Sequence, residues 1–320
     1  MKIVLVFIFM VGFLMGQSLE YRLELDENVT TLIEDNGVLL AGSDNGSIYA
    51  IKWEKDTQKF KASKIFQLEK IHNYFGENIY PKIFSLDVLD NQILILSQGD
   101  DGGKNLFIYG EKLIQIFSSK DSLNIKKAGF VDKKHLFLAL ASNEIMLYDL
   151  ENKNNLYQKQ ISEASFSDFS LSEDRKEFIA SCESGILYYG NTQNGEIIKT
   201  YEDANKDNVY QVKMAQNKLG EKVFVSAGQD RVVGIYTDKS SKKLQADFLV
   251  YSVGINKEAT KIAYPFNENS DIRVYDLLED KEVKRLKTHQ NMLNNIIFLE
   301  EKWLVSAEDG KNIYFWNLGS

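Results

Sequence analysis

Three histidines, one cysteine and a pair of adjacent aspartates are the residues of this sequence whose types invite chemistry. His72, His135 and His289 are not paired at the short spacing that a zinc site needs. His135 follows Lys133 and Lys134 at the start of a strand-like run, a surface position. Cys182 ends the apolar run Phe178-Ile179-Ala180-Ser181-Cys182, where a thiol packs as a small hydrophobe. No base can be named beside it to activate it, and a lone cysteine forms no internal disulfide. Asp100 and Asp101 stand next to Gly102 and Gly103, but a calcium loop needs more oxygen ligands at regular spacing, so ordinary turn chemistry is the reading. There is no Gly-x-Ser-x-Gly elbow and no phosphate-cradling glycine loop. The expectation is a protein without catalytic residues, metal or cofactor.

The bulk numbers agree with a binding protein. The 320 residues carry a formal charge of −8, with 44% apolar and 26% charged residues. No long Lys/Arg block is present, which argues against nucleic acid as the main partner. Aromatic and branched residues are spread along the chain, which disfavours disorder.

The first residues have a separate role. Lys2 precedes thirteen residues, Ile3 to Met15, that are apolar apart from Gly12, and then come Gly16-Gln17-Ser18. A short positive start, a brief apolar stretch and small residues behind it describe a secretory signal peptide. The stretch is shorter than the roughly 20 residues of a spanning helix. Residues 1–18 are therefore expected to be a signal removed after Gly16 or Ser18, or else kept as an anchor. Residues 19–320 are the folded domain, placed in the periplasm, with no stable membrane span once the signal is gone.

What positions the remaining residues is a repeat. A β-run closing on a bulky residue recurs seven times, ending at Ile51, Tyr109, Tyr148, Tyr189, Tyr236, Tyr275 and Trp316. Four of the six gaps lie within two residues of 40, the period of four-stranded propeller blades. Short apolar runs bounded by Gly, Asp, Asn and Ser precede each phrase, as buried strands should. Outer strands are expected near 60–68, 112–117, 157–161, 196–200, 242–248 and 282–286. Only four residues follow Trp316, too few for the last blade's outer strand. The alternating segment Leu19-Glu20-Tyr21-Arg22-Leu23-Glu24-Leu25 is expected to supply it and close the ring. The fold class is thus all-β: a seven-bladed β-propeller with four antiparallel strands per blade, closed by an N-terminal strand in the last blade.

The last unit, from Leu286-Lys287-Thr288-His289 through Ser306-Ala307-Glu308-Asp309-Gly310 to Tyr314-Phe315-Trp316-Asn317, resembles a WD40 repeat. That resemblance implies a buried hydrogen-bond relay of His289, Ser306, Asp309 and Trp316, although one extra residue separates Asp309 from the third strand. The fifth unit resembles the same turn with Ser226 and Asp230, has Tyr236 in place of the Trp, and lacks the His. A buried carboxylate is costly unless several donors reach it, so these residues read as structural.

In such propellers the loops between blades and those joining second and third strands share one rim. The conspicuous insertions are of these kinds: 69–81, 98–103, 201–208 and 265–271. The first carries His72, Tyr74, Phe75 and Tyr80 and is the candidate partner-binding loop, because aromatics are enriched at binding hot spots. The whole layout is similar to the NapL accessory proteins of bacterial periplasmic nitrate reductase systems. The resemblance implies a scaffold or accessory factor in maturation of, or electron supply to, that enzyme, with protein partners in the cell envelope that include nitrate reductase components. The alternative is an exported propeller enzyme with a metal or quinone cofactor on the channel axis.

Overall fold

The computed structural model describes residues 19–319 apart from Thr288 and Gln290. The expected signal, 1–18, lies outside the described residues.

Seven four-stranded antiparallel sheets follow one another along the chain, as the repeat predicted. Their innermost strands are Val29–Asp35, Ile83–Leu89, Ile125–Phe130, Phe166–Leu171, Val209–Gln216, Gly254–Ile255 and Leu293–Leu299, numbered here as blades one to seven. The second strands are the apolar runs of the sequence and are buried almost throughout, as in His135–Leu140 and Trp303–Glu308. Outer strands such as Asn154–Gln160 are mostly exposed. Tight turns suit the residues that make them. Asn36 and Gly37 both take positive φ, 49° and 80°, as do Asp90 and Asn91, the conformation that joins twisted strands in two residues.

The ring closes as expected. Leu19–Glu24 pairs antiparallel with Asn312–Asn317, placing Tyr21 opposite Phe315 and Leu23 opposite Ile313. The seam is rich in aromatic rings. Phe60 of blade one stacks on Phe315 of blade seven at 3.8 Å and meets Trp303 edge-on at 5.6 Å.

The hydrophobic core is divided into seven patches, and each lies between two adjacent blades. Leu39, Phe60, Trp303 and Phe315 join blades one and seven, while Ile48 and Ile95 join one and two. The pattern continues round the circle, to Val274 and Leu304 between six and seven. Each blade therefore hides its apolar faces only against its neighbours.

Polar side chains join the blades near the axis. Six inner strands slip register at the same place, just after their first residue. A bulge of this kind leaves backbone groups without strand partners. Just beyond the slip the preceding blade supplies acceptors: Asn295 takes the Leu32 N–H at 3.2 Å and Asp168 that of Val212 at 3.1 Å, while in blade six, whose inner strand does not slip, Gln211 takes the Val253 N–H at 2.9 Å. In return Thr30 Oγ1 donates to the Ile83 carbonyl at 2.6 Å. At the outer wall, Lys199, Lys242 and Lys284 each reach from an outer strand to the next blade, onto the Asp238 carbonyl, the Asp280 carboxylate and the Asn317 carbonyl.

Because the core lies between blades, opening one seam exposes apolar surface on two. Deleting residues 19–24 is expected to abolish the single cooperative unfolding transition of the intact chain. Calorimetry that recorded an unchanged melt for the truncated protein would contradict this closure.

Candidate functional site

In blade seven, His289 Nε2 lies 2.8 Å from Ser306 Oγ, and Trp316 Nε1 donates to the same oxygen at 2.9 Å. Ser306 and Trp316 have no solvent exposure. Asp309 stands outside this network on the surface, which corrects the expectation from the repeat. The buried acid is Glu308, one residue earlier. It accepts from Asn312 Nδ2 at 2.8 Å, Tyr314 OH at 3.0 Å and the Asn291 N–H at 3.3 Å. The strand alternation explains the exchange. Residue 308 still belongs to the second strand, and the longer Glu side chain stays within the blade where Asp309 has already left it. Burial together with the bond to Glu308 pushes the Tyr314 hydroxyl up to about 12, so it serves as a donor.

Burial pulls His289 down to about 4 despite the Glu308 charge nearby. Its Nδ1 faces the Ser270 backbone without reaching hydrogen-bonding geometry. The ring is therefore neutral at physiological pH and packs against Tyr314 and Trp316.

Blade five solves the same problem differently. Asn205 occupies the place where the repeat pattern lacked a His. Its Oδ1 accepts from Ser226 Oγ and from Tyr236 OH at 3.1 Å, and its Nδ2 donates to Asp230 Oδ1 at 3.0 Å. Asp230 also accepts the Lys206 N–H at 2.8 Å. Gly234 is required here, since a Cβ would come within 2.6 Å of both Ser226 Oγ and the Tyr236 ring. Blade one uses a carboxylate. Glu27 accepts from Ser43 at 2.6 Å, Ser47 at 3.0 Å and Lys64 at 2.7 Å. Burial alone would raise Glu27, but bonds from Lys64, Ser43, Ser47 and Asn45 outweigh it and hold the carboxyl below its usual range. The sequence reading missed Asn205, Glu27 and Glu308. For Asn205 and Glu27 the available signal was a polar residue just before an inner strand, with a buried Ser late in the second strand, whereas Glu308 lies within the second strand itself.

The candidate binding loop forms a small hairpin, Ile71–His72 paired with Asn78–Ile79. Asn73 locks its tip by accepting the N–H groups of Phe75 and Glu77, each at 2.9 Å. Tyr74 and Phe75 are 83% and 86% exposed, with their rings edge-to-face at 6.3 Å. His72 and Tyr80 lie on the flanks, Tyr80 beneath the Lys70 ammonium at 5.1 Å. Asp100 anchors the hairpin, because its Oδ1 accepts the His72 N–H at 2.8 Å. Asp101 takes positive φ in the same turn. His135 lies elsewhere, with Nδ1 2.9 Å from Asp132, and Cys182 is buried with Sγ 3.1 Å from Ser184 Oγ. Among the described residues no three His, Cys, Asp or Glu side chains gather as a metal site would require. Nor, among them, is any helix long and apolar enough to cross a membrane.

The axis is lined by the inner strands, and two of its carboxylates, Asp87 and Asp168, are paired with cations from other blades. Lys127 Nζ donates to Asp168 at 2.6 Å and to the Phe169 carbonyl at 2.7 Å. Arg175 reaches back from blade four to hold Asp87 of blade two at 2.6 and 3.1 Å. It also donates to the carbonyls of Phe130 and Val88.

Among solved structures, the WD40 β-propeller domain of Doa1 matches 96% of this chain and 98% of its own length, with a TM-score of 0.70 and 12% sequence identity. The fold is a WD40-like β-propeller. No protein-family model matches the sequence, and no curated protein does. The WD40-like architecture is thus carried by the blade geometry, with the relay rebuilt from different residues in blades one, five and seven.

Two outcomes test the relay. Glu308→Ala leaves the donors of Asn291, Asn312 and Tyr314 unpaired and should cost about 3 kcal/mol or more, whereas Asp309→Ala should stay within about 0.5 kcal/mol. Denaturant titrations of both variants decide it. For His289, the unfolded chain takes up a proton below pH about 6.5 and the folded one only near 4. The stability from its neutral form is present above that window and lost as pH falls through it, by up to about 3 kcal/mol. His289→Gln should flatten this difference between pH 7 and 4.5.

Proposed function

We propose that this protein is an exported, non-catalytic binding platform that engages a protein partner through the hairpin at residues 71–79. One observation carries the reading. Two adjacent aromatic side chains are held almost wholly in solvent by a turn that Asn73 and Asp100 make rigid. Covering a large aromatic ring is worth on the order of 2 kcal/mol, and a preordered loop loses little entropy on binding. WD40-like propellers commonly act as protein-binding scaffolds, a fold-level analogy.

The envelope location rests on the signal-like segment 1–18. The finer assignment is to the periplasmic nitrate reductase system, where the platform serves maturation or electron supply. It rests on the likeness in layout to the NapL accessory proteins. The axial carboxylates Asp87 and Asp168 are each engaged by a cation, which fits a structural axis.

The experiment is capture of periplasmic nitrate reductase components by the purified protein and by a Tyr74→Ala/Phe75→Ala double variant. The wild type should retain them. The variant should lose at least roughly tenfold in affinity, as for paired aromatic hot spots, with an unchanged melting temperature. Equal retention by both proteins would remove the hairpin from the interface, and no retention by the wild type would remove the nitrate reductase assignment.

A further inference from the structure

The axial channel opens into a cavity of about 420 Å³ bordered by the inner strands. The charged groups facing it besides Lys213 are Asp87, Lys126, Lys127, Asp168, Glu173 and Arg175. Every carboxylate among them is engaged. Asp168 holds Lys127, Asp87 holds Arg175, and Glu173 pairs with Lys257 at 2.6 Å. Lys213, on the inner strand of blade five, has no hydrogen bond or ion pair among the described residues. It is half-buried and borders the lumen. The hydroxyls of Thr31, Ser85 and Ser170 border the same cavity and likewise have no partner among the described residues.

A half-buried ammonium with no hydrogen-bonded counterion is unfavourable, because the lumen solvates it less well than bulk water. Burial, then the charge of Lys127, draws Lys213 down to about 8, even with Asp168 nearby opposing the shift. At neutral pH it is still mainly a cation. A second feature lies at the entry end of the inner strands. Lys82, Lys104 and Lys126 make no ion pair among the described residues, and burial followed by the charges of Lys126 and Lys82 lowers Lys104. In a protein of net charge −8, this mouth is locally basic.

We propose that the channel binds one small oxyanion, taken in past Lys126 and held by the Lys213 ammonium together with the hydroxyls of Thr31, Ser85 and Ser170. The ligand is a compact carboxylate or tetrahedral oxyanion, since the cavity of about 420 Å³ and its three neutral donors suit a multiply accepting anion. Such an ion would supply the counter-charge that the protein withholds.

The test is calorimetric titration of the purified protein with sulfate and, separately, malonate, against sodium chloride at matched ionic strength. One anion per chain is expected. Preference for sulfate assigns a tetrahedral ligand, preference for malonate a carboxylate, and equal binding a site for both. Lys213→Met should lower affinity at least roughly tenfold, the loss of one charge-assisted contact. Wild-type affinity should fall roughly tenfold between pH 7.5 and 9.5 as the ammonium loses its proton. Ser170→Ala, which keeps the charge, should weaken binding a few-fold and serves if Lys213→Met does not fold. Undiminished binding by Lys213→Met, a flat pH profile, or no binding of either anion beyond the chloride control would overturn the proposal.

Discussion

Face-to-face packing of neighbouring sheets is the interaction on which the whole molecule depends. Each apolar patch, such as that of Leu94, Phe130 and Leu138 between blades two and three, draws residues from two blades. No blade owns a core, so none can bury its faces alone. The aromatic seam of Phe60, Trp303 and Phe315 is where the circle is completed, and it is correspondingly well filled. Near the axis, side-chain acceptors such as Asn295, Asp168 and Gln211 take up the inner-strand N–H groups of the next blade. That removes the penalty of unpaired backbone where sheet edges converge.

The relay shows how one architectural demand admits several chemistries. A blade must tie the loop that enters it to the turn between its second and third strands. Blade seven does so with His289, Ser306 and Trp316, blade five with Asn205, Ser226 and Tyr236, and blade one with Glu27, Ser43 and Ser47. What persists is a buried serine near the end of the second strand that accepts or donates as its partners require.

Much of the fold was legible because buried second strands are continuous apolar runs and third strands end on bulky residues. Blade number, strand pairing and the closing role of Leu19–Glu24 followed from that. The inner strands were not legible. Residues such as Thr31, Lys127, Asp168 and Lys213 face the lumen and break the apolar signal, and blade six has only Gly254–Ile255 in this position. The exchange of Asp309 for Glu308 was hidden for another reason. A motif aligned by residue type places the acid after the strand, while the pleat decides which side chain turns inward. The exposure of Tyr74 and Phe75 followed from the loop's length and composition, whereas its anchoring by Asp100 depended on a contact between distant segments.

The pairing of Leu19–Glu24 with Asn312–Asn317 has a consequence for biosynthesis. The strand that completes the circle is made before the seven blades, and its partner belongs to the seventh. Throughout elongation both edges of that pairing are open, and the growing chain is a curved stack with sticky ends. Closure is the contact of longest sequence separation, hence the one with the greatest entropic delay. The growing chain therefore passes through an interval in which both edges of this pairing are bare, and that interval ends only when Asn312–Asn317 is free to dock.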